Sequence, residues 1–260
     1  VPNVPSEPAL PAIAVGIPCY NEAAAIAAVV ASWREYLPEG EIVVFDNNST
    51  DGTGEIARAL GVRVVLVPEQ GKGHAVRAMF ATLRDRDAVV MVDGDGTYPA
   101  SECRRLLAPI LDGSAEMTIG ERRPVAEAGA MSPVRGLGNV LIRGLFWTLI
   151  GRGPGDLLSG YRVFSRAFLI AVAPRSSGFE IETELAGEAV ARGMRTVEVA
   201  VPYYPRMAGT ESKLRAFRDG RRIAVAIARL AIRLRPLRLA VIVFAVVVTI
   251  TASAWWWIRR

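Results

Sequence analysis

The chain has 260 residues, 31 Lys and Arg against 26 Asp and Glu for a formal net charge of +5, and 51% apolar content. Such a chain buries one substantial α/β domain with something attached and is not a disordered protein. Two cysteines, Cys19 and Cys103, cannot staple a secreted fold, and the single histidine, His74, argues against a zinc cluster and leaves His-dependent nucleophile chemistry one candidate.

Residues 1–11, VPNVPSEPALP, are Pro-rich and expected to be disordered. A strand at Ile13–Ile17 then leads to a helix at Glu22–Tyr36, a strand at Glu41–Asp46 to a helix at Gly54–Leu60, and a strand at Arg63–Val67 to a helix at Gly73–Arg86. A strand at Ala88–Asp93, a helix at Ala100–Leu111 and a strand at Met117–Gly120 follow. Helices at Val134–Ile150 and Ile181–Arg192 and a strand at Thr196–Val201 complete a domain over residues 12–205. This alternation predicts an α/β fold whose mostly parallel sheet carries helices on both faces. Ligands of such sheets bind beyond the carboxyl ends of the strands. Those ends hold Pro18-Cys19-Tyr20-Asn21-Glu22, Asp46-Asn47-Asn48-Ser49 and Asp93-Gly94-Asp95.

Residues 206–260 contain twelve of the 31 basic residues and two of the 26 acids, which puts +10 on the tail and −5 on the rest. Within 206–238, Arg215, Arg218, Arg222, Arg229 and Arg233 share a narrow arc of a helical wheel, and Ile223, Ile227, Leu230 and Leu234 line another side. This is a basic amphipathic juxtamembrane helix, with Gly220 as a point of breakage. It is expected to lie in the headgroup layer, or to dock its apolar stripe on the globule. Leu239–Ile258 is uncharged for twenty residues, long enough as a transmembrane helix at ~1.5 Å per residue, and ends in Trp255, Trp256 and Trp257. A basic tail followed by such a span faces a lipid bilayer rather than nucleic acid. Arg229, Arg233, Arg235 and Arg238 before the span outnumber Arg259 and Arg260 after it, which places the globule on the cytoplasmic side of the membrane.

Asp93 and Asp95, closing an apolar strand, have the spacing to grip one hard cation, Mg²⁺ or Mn²⁺, with positions left for diphosphate oxygens. The bland alternative is an Asp-Gly surface turn. Gly71-Lys72-Gly73 opens a helix, where a cation and free amides suit phosphate, although the loop is no Walker A motif. Lys72 and Lys213 are the only lysines beside 29 arginines, so neither reads as surface filler. Asp46-Asn47-Asn48-Ser49 reads as an acid for a nucleoside or as an Asx turn with a helix cap.

Together, IPCYNE (17–22), DNNSTDGT (46–53), GKG (71–73), DGDGTYP (93–99), GERRP (120–124), LSGYRVFSR (158–166), FEIETEL (179–185) and YYPRMAGTESKL (203–214) resemble family 2 glycosyltransferases of the GT-A fold. The branch they resemble is the polyprenyl-phosphate (dolichol-phosphate) sugar synthases. The resemblance implies that Pro18, Tyr20, Glu22, Asp46, Lys72 and Asp93 line a nucleotide pocket and that Asp93 and Asp95 hold the cation, with Thr97 as a weaker ligand where the family often has Gln. It implies Arg206, with Lys213 close by, on the donor diphosphate, and Arg122, Arg135 and Asn139 on the acceptor phosphate. The implied partners are a nucleotide-sugar donor, UDP- or GDP-linked, and polyprenyl phosphate, with inversion at the anomeric carbon. A homo-oligomer is left open.

The chemistry narrows the acceptor independently. A lipid monophosphate, with a second pKa of about 6, is already nucleophilic at neutral pH and needs arginines rather than a base. A hydroxyl acceptor needs a base, for which Asp156 is the candidate. The competing readings are a membrane-anchored enzyme acting on such a hydroxyl, a non-enzymatic nucleotide or lipid-carrier binder, and a sugar nucleotidyltransferase. The last would want a Gly-rich basic loop where this chain has Pro18-Cys19-Tyr20-Asn21-Glu22.

Overall fold

The structure, a computed structural model, describes residues 11–125, 133–207 and 216–259, without the side chains of 133–137, 216, 217 and 258. The disorder expected at 1–11 therefore falls, apart from Pro11, outside the described residues.

The chain runs β1 (Ile13–Cys19), α1 (Ile26–Tyr36), β2 (Glu41–Asp46), α2 (Thr53–Ala59), β3 (Arg63–Leu66), α3 (Lys72–Leu83), β4 (Ala88–Met91), α4 (Cys103–Leu111) and β5 (Met117–Pro124). Then come α5 (Pro133–Leu149), β6 (Arg162–Ser165), α6 (Arg166–Ala171), α7 (Ile181–Arg192), β7 (Thr196–Tyr203), α8 (Ala216–Leu234) and α9 (Pro236–Ile258). Seven strands form one sheet in the order β3-β2-β1-β4-β6-β5-β7. All neighbours pair in parallel except β6, which is antiparallel to both β4 and β5.

The sheet's residues alternate between two apolar layers. Val15, Ile17, Val44 and Val90 face α1, α2 and α4, with Trp33 and Leu106 behind them. Ala14, Val43, Phe45, Val89 and Met91 face α3, α6 and α7, with Met79, Phe80, Phe168 and Leu185 behind them. Both faces are buried, so β1, β2 and β4 read as continuous apolar runs. Each large side chain withdrawn from water contributes about 1.5–3 kcal/mol.

Several elements differ from expectation for local reasons. The first helix starts at Ile26 rather than Glu22, because Asn21 takes a left-handed φ of 53° and the amide of Glu22 donates to Thr53 Oγ1 at 2.9 Å. The strand expected to reach Asp93 stops at Met91, leaving both aspartates in the loop beyond it. β6 and α6 are short, and neither was expected. α6 is started by Ser165, whose Oγ accepts from the Phe168 amide at 3.2 Å.

α8 runs unbroken through Gly220 and ends at Leu234, and Pro236 starts α9. Proline cannot continue the preceding helix and suits a first helical position, so the boundary falls at 235 rather than 238. The apolar stripe of α8 is not turned to a headgroup layer. Ile223, Ile227, Leu230 and Ala231 pack on Phe146 and Ile150 of the α5 end and on Ala186 of α7. At the start of α9, Arg238 donates from Nε to the Thr148 carbonyl at 2.9 Å and from Nη2 to the Trp147 carbonyl at 3.0 Å, a cationic cap on the end of α5. The segment Pro236–Trp257 has mean hydropathy 2.3 and an unburied surface, long and apolar enough to cross a bilayer.

Candidate active site

The reversal of strand order beside β1 brings the ends of β1, β2 and β4 to one edge. The crevice at such a switch point is the ligand site of open α/β sheets. At its centre lies the Cys19 thiol, buried against Gly94, where a Cβ would meet the sulfur 2.5 Å away. Burial first, then the charges of Glu22, Asp46, Asp93 and Asp95, pushes that thiol up and keeps it protonated. Glu22, Asp46, Asp93 and Asp95 thus stand on three separate loops that leave the same edge of the sheet. Pro18 ends the crevice side of β1 in register with Phe45, and Tyr20 and Glu22 follow in the turn.

Asp46 is buried, and its Oδ1 accepts from the Ser49 amide at 3.0 Å. That is the Asx turn of the bland reading. Asn47 ties this loop to the next: its Oδ1 accepts from the Gly71 amide at 2.6 Å, and its Nδ2 donates to the carbonyls of Val67 and Glu69. Gly71, at φ 136°, lets the chain enter α3 so that Lys72 points at the crevice.

The loop after β4 carries two carboxylates, each already on a cation. Lys72 Nζ lies 2.5 Å from Asp93 Oδ1 and 2.6 Å from Glu182 Oε1. Burial opposes the Lys72 charge, but Asp93 and Glu182 outweigh it and hold the ammonium protonated. Arg206 Nη1 lies 2.5 Å from Asp95 Oδ2. Thr97 donates to Asp95 Oδ1 from Oγ1 at 2.7 Å and from its amide at 3.1 Å. Thr97 therefore orients the carboxylate. Even so, burial and the charge of Asp93 raise Asp95 above the ordinary carboxylate range. Arg206 reaches Asp95 because the Tyr204 amide donates to the Thr97 carbonyl at 3.0 Å, laying the exit of β7 along the aspartate loop. Gly160 backs Asp93 so closely that a Cβ there would overlap the carboxylate.

A second pair lies alongside. Arg122 donates to Asp156 from Nε and Nη2 at 2.7 Å each and from its amide at 3.2 Å. Its guanidinium also sits 5.5 Å from the centroid of the Tyr203 ring. Burial would raise Asp156, but the hydrogen bonds and charge of Arg122 hold it below the usual carboxylate range. Asp156 is thus the fixed partner of Arg122, with both carboxylate oxygens on the guanidinium. Tyr98, whose hydroxyl accepts from the Gly160 amide at 3.1 Å, packs in the same layer and is pushed up by burial.

Of the acceptor-side residues, the structure describes the side chains of Arg122 and Asn139. Asn139 is half-buried on α5 and makes no hydrogen bond to Arg122 among the described residues. The Arg135 side chain and all of Lys213 lie outside the described residues. Sequence reasoning missed Glu182. A buried acid at the start of α7 was concealed in FEIETEL, and the only signal was that three of its seven residues are acidic on a helix otherwise fit for the core. Among the described residues no three His, Cys, Asp or Glu gather as a metal-ligand group.

Comparison with known proteins agrees with this geometry. Residues 14–166 match the model of glycosyl transferase family 2. The chain is 39% identical over 211 residues to glycosyltransferase AglJ of Haloferax volcanii, covering 80% of this chain and 68% of that protein. It is 34% identical over 224 residues to the dolichyl-phosphate hexose transferase of the same organism, covering 86% and 95%. It is 30% identical over 210 residues to the polyprenol monophosphomannose synthase of Mycolicibacterium smegmatis, covering 74% and 77%. Among solved structures, glucosyl-3-phosphoglycerate synthase of Mycobacterium tuberculosis with Mn²⁺, UDP-glucose and phosphoglyceric acid superposes with a TM-score of 0.66 at 23% identity, over 85% of this chain and 80% of that one. The sheet order, the paired acids beyond β4 and these relatives have one explanation: the chain belongs to glycosyl transferase family 2, has the GT-A fold, and falls on the branch of the polyprenyl-phosphate sugar synthases.

Proposed function

We propose that this glycosyltransferase moves a sugar from a nucleoside diphosphate to polyprenyl phosphate at the cytoplasmic face of a membrane. The observation that carries the donor half is the crossed pairing of Lys72 with Asp93 and of Arg206 with Asp95. Two acids and two cations at a strand end are complementary to a divalent cation and a diphosphate together. Asp93 and Asp95 fit Mn²⁺ or Mg²⁺: both are hard oxygen donors, and Asp95 is raised by burial and then by the neighbouring Asp93 charge. When bound, the cation would neutralise charge on the departing diphosphate. Lys72 and Arg206 are placed to meet the same phosphates as they leave. Asp46 and Glu22, with Pro18 and Tyr20, are proposed to line the nucleoside end.

For the acceptor, Asp156 has both carboxylate oxygens engaged by Arg122, which favours a nucleophile that needs no base, and a phosphate is one. Arg122, oriented by Asp156, together with Arg135 and Asn139, is proposed to hold the acceptor phosphate, and Lys213 to join Arg206 on the donor diphosphate. The unburied surface of α9 and its flanking arginines support anchoring in a bilayer. The test is transfer by the detergent-solubilised chain with Mn²⁺, labelled UDP- and GDP-sugars and polyprenyl phosphate. A labelled lipid product released by mild acid is expected. A product with a glycosidic bond stable to mild acid would overturn the phosphate acceptor.

A further inference from the structure

Arg233 was expected on the membrane side of the basic helix, and the structure turns it the other way. Its Nη2 lies 3.1 Å from Glu184 Oε1, and it also pairs with Glu188 Oε1. Both glutamates are buried on α7. Glu184 in turn accepts from the Arg175 amide through Oε1 at 3.1 Å and Oε2 at 3.0 Å, and from the Ser176 amide at 2.7 Å. One residue further, the Ser177 carbonyl accepts from the Gly73 amide at 3.0 Å. The contact is close: a Cβ on Gly71 would run into the Ser177 carbonyl, and one on Gly73 into that of Ser176. Gly71 and Gly73 flank Lys72, which holds Asp93 and Glu182. Glu182 stands on the same helix as Glu184 and two residues before it.

A continuous set of contacts thus joins α8, the helix that leads into the apolar α9, to the ammonium beside the aspartate loop. Each contact uses a buried charge or a backbone amide, which tolerate displacement poorly because an unpaired buried group is costly. Removing the Arg233 guanidinium leaves Glu184 with two backbone donors and Glu188 with Arg192. Glu184 keeps the amides of the 175–178 loop but loses the cation that fixes its side chain, so the loop bonded to it is held less firmly against Gly71 and Gly73.

We infer that Arg233 is a positioning residue: through Glu184 and the loop at 175–178 it sets Lys72 against Asp93, so that the seating of the membrane-proximal helix governs how well the chain binds nucleoside diphosphate. The inference rests on the donor-site reading above. It adds that binding at the crevice depends on the membrane-proximal helix.

The experiment uses the full chain in lipid nanodiscs, with Arg233→Met, Arg233→Lys, Glu184→Gln, Lys72→Met and, as a control on the exposed face of α8, Arg229→Met. Hydrogen–deuterium exchange is read on peptides covering 71–76 and 173–178 and on β1 and β2, and UDP and GDP affinity with Mn²⁺ is read by calorimetry. Arg233→Met and Glu184→Gln are expected to speed exchange at 71–76 and 173–178 while β1 and β2 stay protected. They are expected to weaken the preferred nucleotide by about tenfold, within the range of coupling through packed contacts. Arg233→Lys should restore most of the affinity, and Arg229→Met should match wild type. Exchange that rises only in α7 and α8, or affinity untouched in Arg233→Met, would overturn the inference. If Lys72→Met leaves nucleotide affinity unchanged, the donor-site reading fails instead, and the exchange data still decide whether Arg233 controls the Lys72 segment.

Discussion

Replacing Asp156 separates a base from a structural partner. In Asp156→Ala, Arg122 loses the acceptor of two side-chain hydrogen bonds and one amide bond. Breaking a fully buried ion pair costs about 3–5 kcal/mol. Here the side chains are 22% and 14% exposed, so water recovers part of that and about 2–3 kcal/mol is expected. For a chain of this size that lowers Tm by roughly 5–10 °C. The pH dependence has a definite sign. The folded Asp156 carboxyl lies below its unfolded value, so its contribution is fully present above the ordinary Asp range and is lost as pH falls through the folded value. The Tm difference between wild type and Asp156→Asn should be constant from neutrality to about pH 5 and shrink on acidification below about 3.9. Arg122→Ala combined with Asp156→Ala should cost little more than Arg122→Ala alone, because the two act as one unit. The assays are thermal melts across pH and transfer kinetics of the same five proteins. An Asp156→Asn protein of unchanged Tm, with transfer abolished and the rising limb of its pH–rate profile gone, would refute this and restore Asp156 as a base.

Asp95→Asn should keep the fold and lose transfer by orders of magnitude, with EDTA reproducing the loss reversibly in wild type; full turnover in metal-free buffer would remove the two-carboxylate site. Gly160→Ala puts a methyl into the space of the Asp93 carboxylate and should weaken Mn²⁺-dependent nucleotide binding more than it lowers Tm, as calorimetry beside a melt would show. Neutralising the exposed Arg218 and Arg222 should reduce use of membrane-borne acceptor and spare a short soluble analogue, and equal losses on both would assign these residues to the fold. Arg135→Ala should raise KM for the lipid phosphate and leave donor KM unchanged; the reverse result would move Arg135 to the donor side.

Much of this was open to a reader of the sequence because local signals and the fold agree. The apolar runs of β1, β2 and β4 and the helical periods between them predict a parallel sheet, and its carboxyl ends name Asp46, Asp93 and Asp95 without further help. The twenty uncharged residues after Arg238 likewise mark a span by composition alone. Pairing was a different matter. Nothing within four residues of Arg122 selects Asp156, and nothing near Arg233 selects Glu184, 49 positions away. A charged side chain has no periodicity that names its partner: the choice follows from which elements the sheet order and the α5–α7–α8 packing bring within 3 Å, and from the cost of burying an ion alone. For the same reason β6 escaped notice. Its four residues, with Arg162 buried among them, carry too short a pattern to declare a strand, and only the edges of β4 and β5 on either side make it one. Composition settled that the basic helix has an apolar stripe, but whether that stripe meets lipid or protein was decided by Phe146, Ile150 and Ala186, which offered it a dry surface first.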